Sequence, residues 1–279
     1  MNTTFLFIAI GIALGLYFGY TKLTSSKTTP QRMPKRAFPQ AWRDLLSEKV
    51  EFYNRLSPQK KTEFEHRVHI FLLNVHITGI DTEVTHLDRI LVASGAIIPI
   101  FGFESWHYAN LREVILYPDK FQIPTTTKFA NGLVGWGAME GTMMLSKKAM
   151  IEGFHDQSDN QNVVIHEFIH ILDKQDGKVD GVLGKVMDEI DIQPWLNIIH
   201  QKMREIQQGN SSIRDYGKAN NAEFLAVVSE FFFENPERMK SEHPALYNAL
   251  DRFYNPKVYP KRTIVQRMKR AGGYNKSER

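Results

Sequence analysis

The sequence predicts an α+β fold, mainly helical, with a small sheet. Three observations predict it. Apolar residues recur at helical spacing through residues 39–98 and again through 161–234. Only two short runs, Val114–Tyr117 and Thr142–Ser146, have the length and composition of buried strands. His166-Glu167-Phe168-Ile169-His170 lies in a run, Val163 to Leu172, that is apolar nearly all round and so reads as a buried helix. A chain of 279 residues has ample material for a core, in one large domain or two small ones.

The elements follow in chain order. Met1–Thr21 carries no charged side chain. As a helix it would rise about 31 Å, against a hydrocarbon core of about 30 Å. Lys22, Lys27, Arg32, Lys35 and Arg36 all follow the apolar run, whereas a cleaved signal would place positive charge ahead of it. The expectation is an uncleaved single-pass anchor in the inner membrane, with the large domain facing the cytoplasm. Gly11, Gly15 and Gly19 are spaced by four, a face on which two such helices could pair as a homodimer. Residues 22–39 read as a flexible basic linker. Helical patterns run from Pro39 to Leu56 and from Pro58 to Leu73, the second starting after Ser57. Another covers 84–98 and ends at Pro99. The strand Val114–Tyr117 turns at Pro118-Asp119, Gly132–Gly137 reads as loop, and Thr142–Ser146 is the second strand. Helices over 161–174, 193–207 and 220–234 complete the chain. The expected organisation is an anchor (1–21), a linker (22–39), a domain over 40–255 and a basic tail (256–279). Within the domain, 40–110 would be a helical part and 111–255 a catalytic part.

The net charge of +4 divides unevenly. Residues 1–43 hold six Lys/Arg and no Asp/Glu, and residues 251–279 hold nine basic and two acidic residues, so the stretch between is acidic. Basic ends beside an apolar segment point to an anionic membrane surface and not to nucleic acid.

The chain contains no cysteine, which excludes disulfides and thiolate metal sites. Any metal must be held by His, Asp or Glu. Histidines four apart, His166 and His170, share one helix face and can reach one zinc ion. Glu167 stands one residue on, near enough to take a proton from water activated by that ion and too far round to be a ligand. Two imidazoles and a carboxylate inside so apolar a helix need partners, which makes a surface helix carrying chance histidines the weaker reading.

Catalytic zinc takes three protein ligands and leaves a fourth position open. The metzincin pattern of a Gly and a third His downstream is excluded, because Asp173 and Asp176 stand at those offsets. The ligand is then Asp176 or a carboxylate on another helix. The best source is Asn220–Glu234, where Glu223 and Glu230 lie seven apart on one stripe of an otherwise apolar helix. Spacing alone does not choose between them.

A resemblance does. His166-Glu167-Phe168-x-His170-x-x-Asp173 followed by Tyr216-Gly217-x-x-Asn220-x-Ala222-Glu223-Phe224 resembles the catalytic segment of anthrax lethal factor. Over residues 40–255 the chain is similar to the bacterial Mlc titration factor A family of zinc peptidases. Leu91-Val92-Ala93 before Pro99, Leu116-Tyr117-Pro118 and the run Ala222 to Phe233 carry that similarity. The resemblance implies a zincin-like metallopeptidase domain (a gluzincin) with a small mixed sheet around the HExxH helix. It implies one zinc held by His166, His170 and Glu223, with Glu167 as general base and Tyr216 as hydrogen-bond donor to the oxyanion. Asp173 is expected to accept the free ring N–H of one ligating histidine, and Glu230 to support the site or the fold. The expected reaction is peptide-bond hydrolysis, as an aminopeptidase or an endopeptidase. The strand Thr142–Ser146 would be either an edge that pairs with an extended substrate or an interior strand. Two rivals stand beside this reading. One is a zinc-containing protein that sequesters a transcriptional regulator, as the family's name implies. The other is a membrane-tethered scaffold, which leaves the buried histidines unexplained.

Overall fold

The helices begin where the sequence supplies caps. The computed structural model describes residues 31–103, 106–124, 126–156, 158–184, 187 and 189–256. The first helical pattern is split at Val50, whose extended backbone separates α1 (Gln40–Lys49) from α2 (Glu51–Asn54). α3 (Pro58–Asn74) starts as its sequence predicts: the Ser57 side chain accepts the Lys60 amide and Pro58 fills a position that needs no N–H. α4 (His86–Ile100) opens on a reciprocal cap between Thr85 and Asp88. It continues past the expected stop, because Pro99 lies so close to its end.

β1 (His76–Gly79), β2 (Glu113–Tyr117) and β6 (Thr142–Ser146) run parallel. β5 (Gly132–Val134) pairs antiparallel with β6, giving a mixed sheet in the order β1-β2-β6-β5. The fold is thus α+β and mainly helical with a small mixed sheet. Thr142–Ser146 is an interior strand, and the edge beside it is a segment whose glycines read as loop. β3 (Phe121–Gln122) and β4 (Phe129–Ala130) form a separate small hairpin. These short strands, and β1 with only Ile77 buried, carry too little pattern to be read from sequence. α5 (Lys147–His155), capped by Ser146, was likewise not expected.

The core is built on α4, α6 (Val163–Asp173) and α8 (Asn221–Glu234), whose faces are buried almost throughout. α4 and α6 cross closely at Gly95, where a side-chain Cβ would come within 2.8 Å of the Val164 Cβ. From α6, Phe168 is fully buried, its ring 4.9 Å from Tyr108 and 5.8 Å from Phe71. Burying such a side chain stabilises by about 2–3 kcal/mol. α7 (Glu189–Gln207) is held by Trp195, whose indole N–H donates to the Gly181 carbonyl at 2.7 Å. α9 (Pro236–Glu242) and α10 (Pro244–Tyr254), each with proline in its first turn, close the described chain.

The expected single-pass placement in the inner membrane is corrected here. Among the described residues, no helix is long and apolar enough to cross a membrane. The apolar helices α4 and α8 hold 15 and 14 residues, a rise of about 22 Å or less against the roughly 30 Å required. The longer α7 carries Glu189, Asp191, Lys202, Arg204 and Glu205. Met1–Thr21, with Gly11, Gly15 and Gly19, the first part of the linker and the tail from residue 257 lie outside the described residues.

Candidate metal centre

The site forms where α6 and α8 pack against each other. Asn162 caps α6 by accepting the Ile165 amide at 3.2 Å. The next turns carry His166, Glu167 and His170. Asn220 caps α8 in the same way, accepting the Glu223 amide at 2.9 Å. That fixes Glu223 in the first turn of α8, facing the two histidines. The 3₁₀ turn Asp215–Lys218 leads into α8 and brings Tyr216 alongside, its ring 6.0 Å from that of His166.

Three atoms converge. His166 Nε2 lies 3.0 Å from Glu223 Oε2 and 3.1 Å from His170 Nε2, and the third edge, His170 Nε2 to Glu223 Oε2, is 3.5 Å. This spacing suits the donors of one ion: donors about 2.0–2.1 Å from a tetrahedral zinc stand roughly 3.3 Å apart. Two ring nitrogens facing each other at 3.1 Å cannot both carry a proton, so at least one offers the lone pair that a metal takes. The residues fit a metal by chemistry as well as by distance, and His166, His170 and Glu223 are a group that could hold one. Glu230 is not in this group.

Glu230 instead holds the His166 ring from behind. Its Oε1 accepts from His166 Nδ1 at 2.8 Å and from Arg214 Nη2 at 2.6 Å, and its Oε2 accepts the Asn162 amide at 2.6 Å. One buried carboxylate therefore ties a histidine to the cap of its own helix and to an arginine next to Tyr216. Asp173 was expected in such a role and takes another. It accepts the backbone amides of Gly181, at 3.0 and 3.1 Å, and of Val182, at 3.1 Å. It lies at the end of α6, where the chain folds back beneath it, so its carboxylate pins the following loop. Arg214 escaped the sequence reading, although its place two residues before Tyr216 was a usable signal.

The electrostatics follow from burial among opposite charges. Burial disfavours a charged His166, but Glu230 and Glu223 outweigh it and hold the ring at about 10. Glu223 works against its own burial, and the two histidines keep it well below the usual carboxylate range. Glu167 is only 6% exposed, and burial raises its pKa, the histidines pulling the other way. A buried carboxyl with a raised pKa beside a metal group is suited to carry a proton in both directions. Tyr216 is 55% exposed, and burial of the remainder together with Glu223 raises its hydroxyl.

The centre opens into a cleft of about 980 Å³. Its wall includes every residue from Phe129 to Trp136, and both of those aromatics stand exposed. β5 is therefore the sheet edge that faces the site. Asn131 accepts from Ser146 and Gly135 donates to Thr142. The alternation of an antiparallel pair then turns the N–H and C=O of Gly132 and Val134 to the free edge.

Comparisons with known proteins agree with this chemistry. Residues 24–255 match the family described as glucose-regulated metallo-peptidase M90. A protein of Synechocystis sp. without an assigned function is 29% identical over 236 residues, covering 79% of this chain and 85% of its own length. Mlc titration factor A of Yersinia pestis is 28% identical over 171 residues, covering 56% of this chain. The same protein from Yersinia pseudotuberculosis matches equally, and the matched region is 63% of the length of these relatives.

Proposed function

Because the chain belongs to the glucose-regulated metallo-peptidase M90 family, we propose that it is a zinc-dependent peptidase. The observation that carries this reading is the convergence of His166, His170 and Glu223 within 3.0–3.5 Å of one another beside the buried Glu167. We assign the three converging residues as the ones that would hold the ion, at the wall of the cleft. A bound zinc supplies Lewis acidity, polarising a carbonyl and making water a stronger acid.

The chain's own residues do the rest. Free backbone groups of Gly132 and Val134 pair with an extended peptide and lay its scissile bond along the edge of β5. Glu167 takes the proton from the attacking water and passes it to the leaving nitrogen. The Tyr216 hydroxyl donates to the carbonyl oxygen as negative charge develops there. Glu230, held by Arg214 and by the Asn162 amide, keeps the His166 ring in the orientation that presents Nε2. The name of the titration-factor relatives favours a second reading, a regulatory role toward a protein partner. The two can coexist, and Glu167 and Tyr216, which binding alone does not need, favour catalysis.

The test is metal analysis and peptidase assay of the full chain beside Glu167→Gln. The expected result is about one zinc per chain in both proteins, with hydrolysis of unfolded casein lost by a factor of at least about 100 in the variant. A wild type that binds no metal, or a Glu167→Gln protein of undiminished activity, overturns the reading.

A further inference from the structure

Gly132 lies in the edge strand directly against Glu167. A Cβ built on it would stand 2.6 Å from Glu167 Cγ and 2.8 Å from Cδ, with the carboxylate Oε1 closer still. Nothing in its backbone asks for glycine: among the described residues the left-handed glycines are Gly137, Gly141, Gly177, Gly181 and Gly209, and Gly132 is not among them. Alanine is ordinarily the better residue inside a strand, because glycine loses more freedom on ordering. A glycine within a strand also marks the close approach of another group, and here that group is the buried carboxyl of Glu167. The same residue turns its N–H and C=O to the free edge of β5.

We propose that Gly132 is a positioning residue: its missing side chain lets the Glu167 carboxyl lie against the face of β5, beside the edge with which a peptide would pair. The role rests on the peptidase reading for its consequence, though not for the contact itself. A methyl group at position 132 displaces the carboxyl from the strand's face, leaving His166, His170 and Glu223 where they are. The base then faces the metal group from the wrong distance while substrate pairing through the backbone persists.

Two measurements on the full-length, zinc-loaded protein test this. The first needs no activity. Gly132→Ala is expected to lower the melting temperature in the wild-type background, and to leave it unchanged or raise it in the Glu167→Ala background, where the methyl has room. The second is kinetic. With casein-derived peptides, Gly132→Ala is expected to lower kcat at least tenfold, with KM and zinc affinity each within about twofold of wild type. A melting temperature lowered equally in both backgrounds overturns the contact, and an unchanged kcat overturns the positioning role. If Gly132→Ala alone fails to fold, folding of Gly132→Ala/Glu167→Ala supports the proposal and failure of both overturns it. A wild type without peptidase activity sinks the functional reading and the kinetic role, and the melting temperatures then decide the contact separately.

Discussion

Glu230 spends two oxygens on three donors, and each donor belongs to a different part of the site: a histidine ring, a helix cap and an arginine. With its side chain 3% exposed, it is a buried charge that persists only because it is so fully paired. Replacing it by Gln keeps the size and some of the hydrogen bonds but removes the charge that orients the His166 ring. Glu230→Gln is expected to weaken zinc binding about 10- to 100-fold, read by chelator competition. An unchanged affinity would mean that Arg214 and Glu230 serve the fold alone. Asp173 shows how local the distinction is. Seven residues after His166 along the same helix, a carboxylate of the same buried character binds the backbone of Gly181 and Val182 instead.

At the scale of elements, β5 is the piece on which substrate pairing depends. Its pairing with β6 uses Asn131, Leu133 and Gly135, so the Val134 N–H points away from the sheet. Proline is tolerated in a strand where the lost N–H faces outward. Val134→Pro is therefore expected to leave the fold intact and raise KM several-fold, because one hydrogen bond to an extended peptide is gone. An unaltered KM in the folded variant would remove β5 as the pairing edge. The interior strand β6 offers no such site, since β2 and β5 occupy both of its edges.

Over the whole molecule, the packing of α8 into the core carries a charge cost at its far end. Glu234 is 6% exposed, and burial followed by repulsion from Glu230 pushes its pKa up to about 9, with Asn162 pulling weakly the other way. A carboxyl that holds its proton more tightly when folded than when unfolded stabilises the fold most below its unfolded value. That contribution declines as pH rises from about 4.5 to about 9 and is lost above it. Glu234→Gln removes the decline. The variant is expected to match wild type near pH 4 and to be the more stable protein at pH 8, seen as a melting-temperature difference that grows with pH. A constant difference across that range would show that Glu234 does not titrate as placed.

How much of this was legible in the sequence follows the range of the interactions involved. A helix is specified within a few residues by its caps and its apolar period, so Ser57-Pro58, Thr85 with Asp88, and the buried run around His166 could be read locally. The pentapeptide from His166 to His170 names two of the converging donors and the neighbouring carboxyl for the same reason, since one helical turn places them together. Glu223 and Glu230 were both visible as carboxylates on one greasy helix. Which of them meets the histidine Nε2 atoms and which the opposite ring nitrogen depends on how α8 is rotated against α6. The edge strand, Arg214 beside Glu230, and Gly132 beneath Glu167 join residues 16 to 35 positions apart, or pair strands too short to carry a pattern. What could be read from the residues alone was the capped, strongly periodic helices and the chemistry they bear. Only the tertiary packing decided which groups share that chemistry, because hydrogen bonds and close contacts between distant segments are set by the docking of elements and not by the period of any one of them.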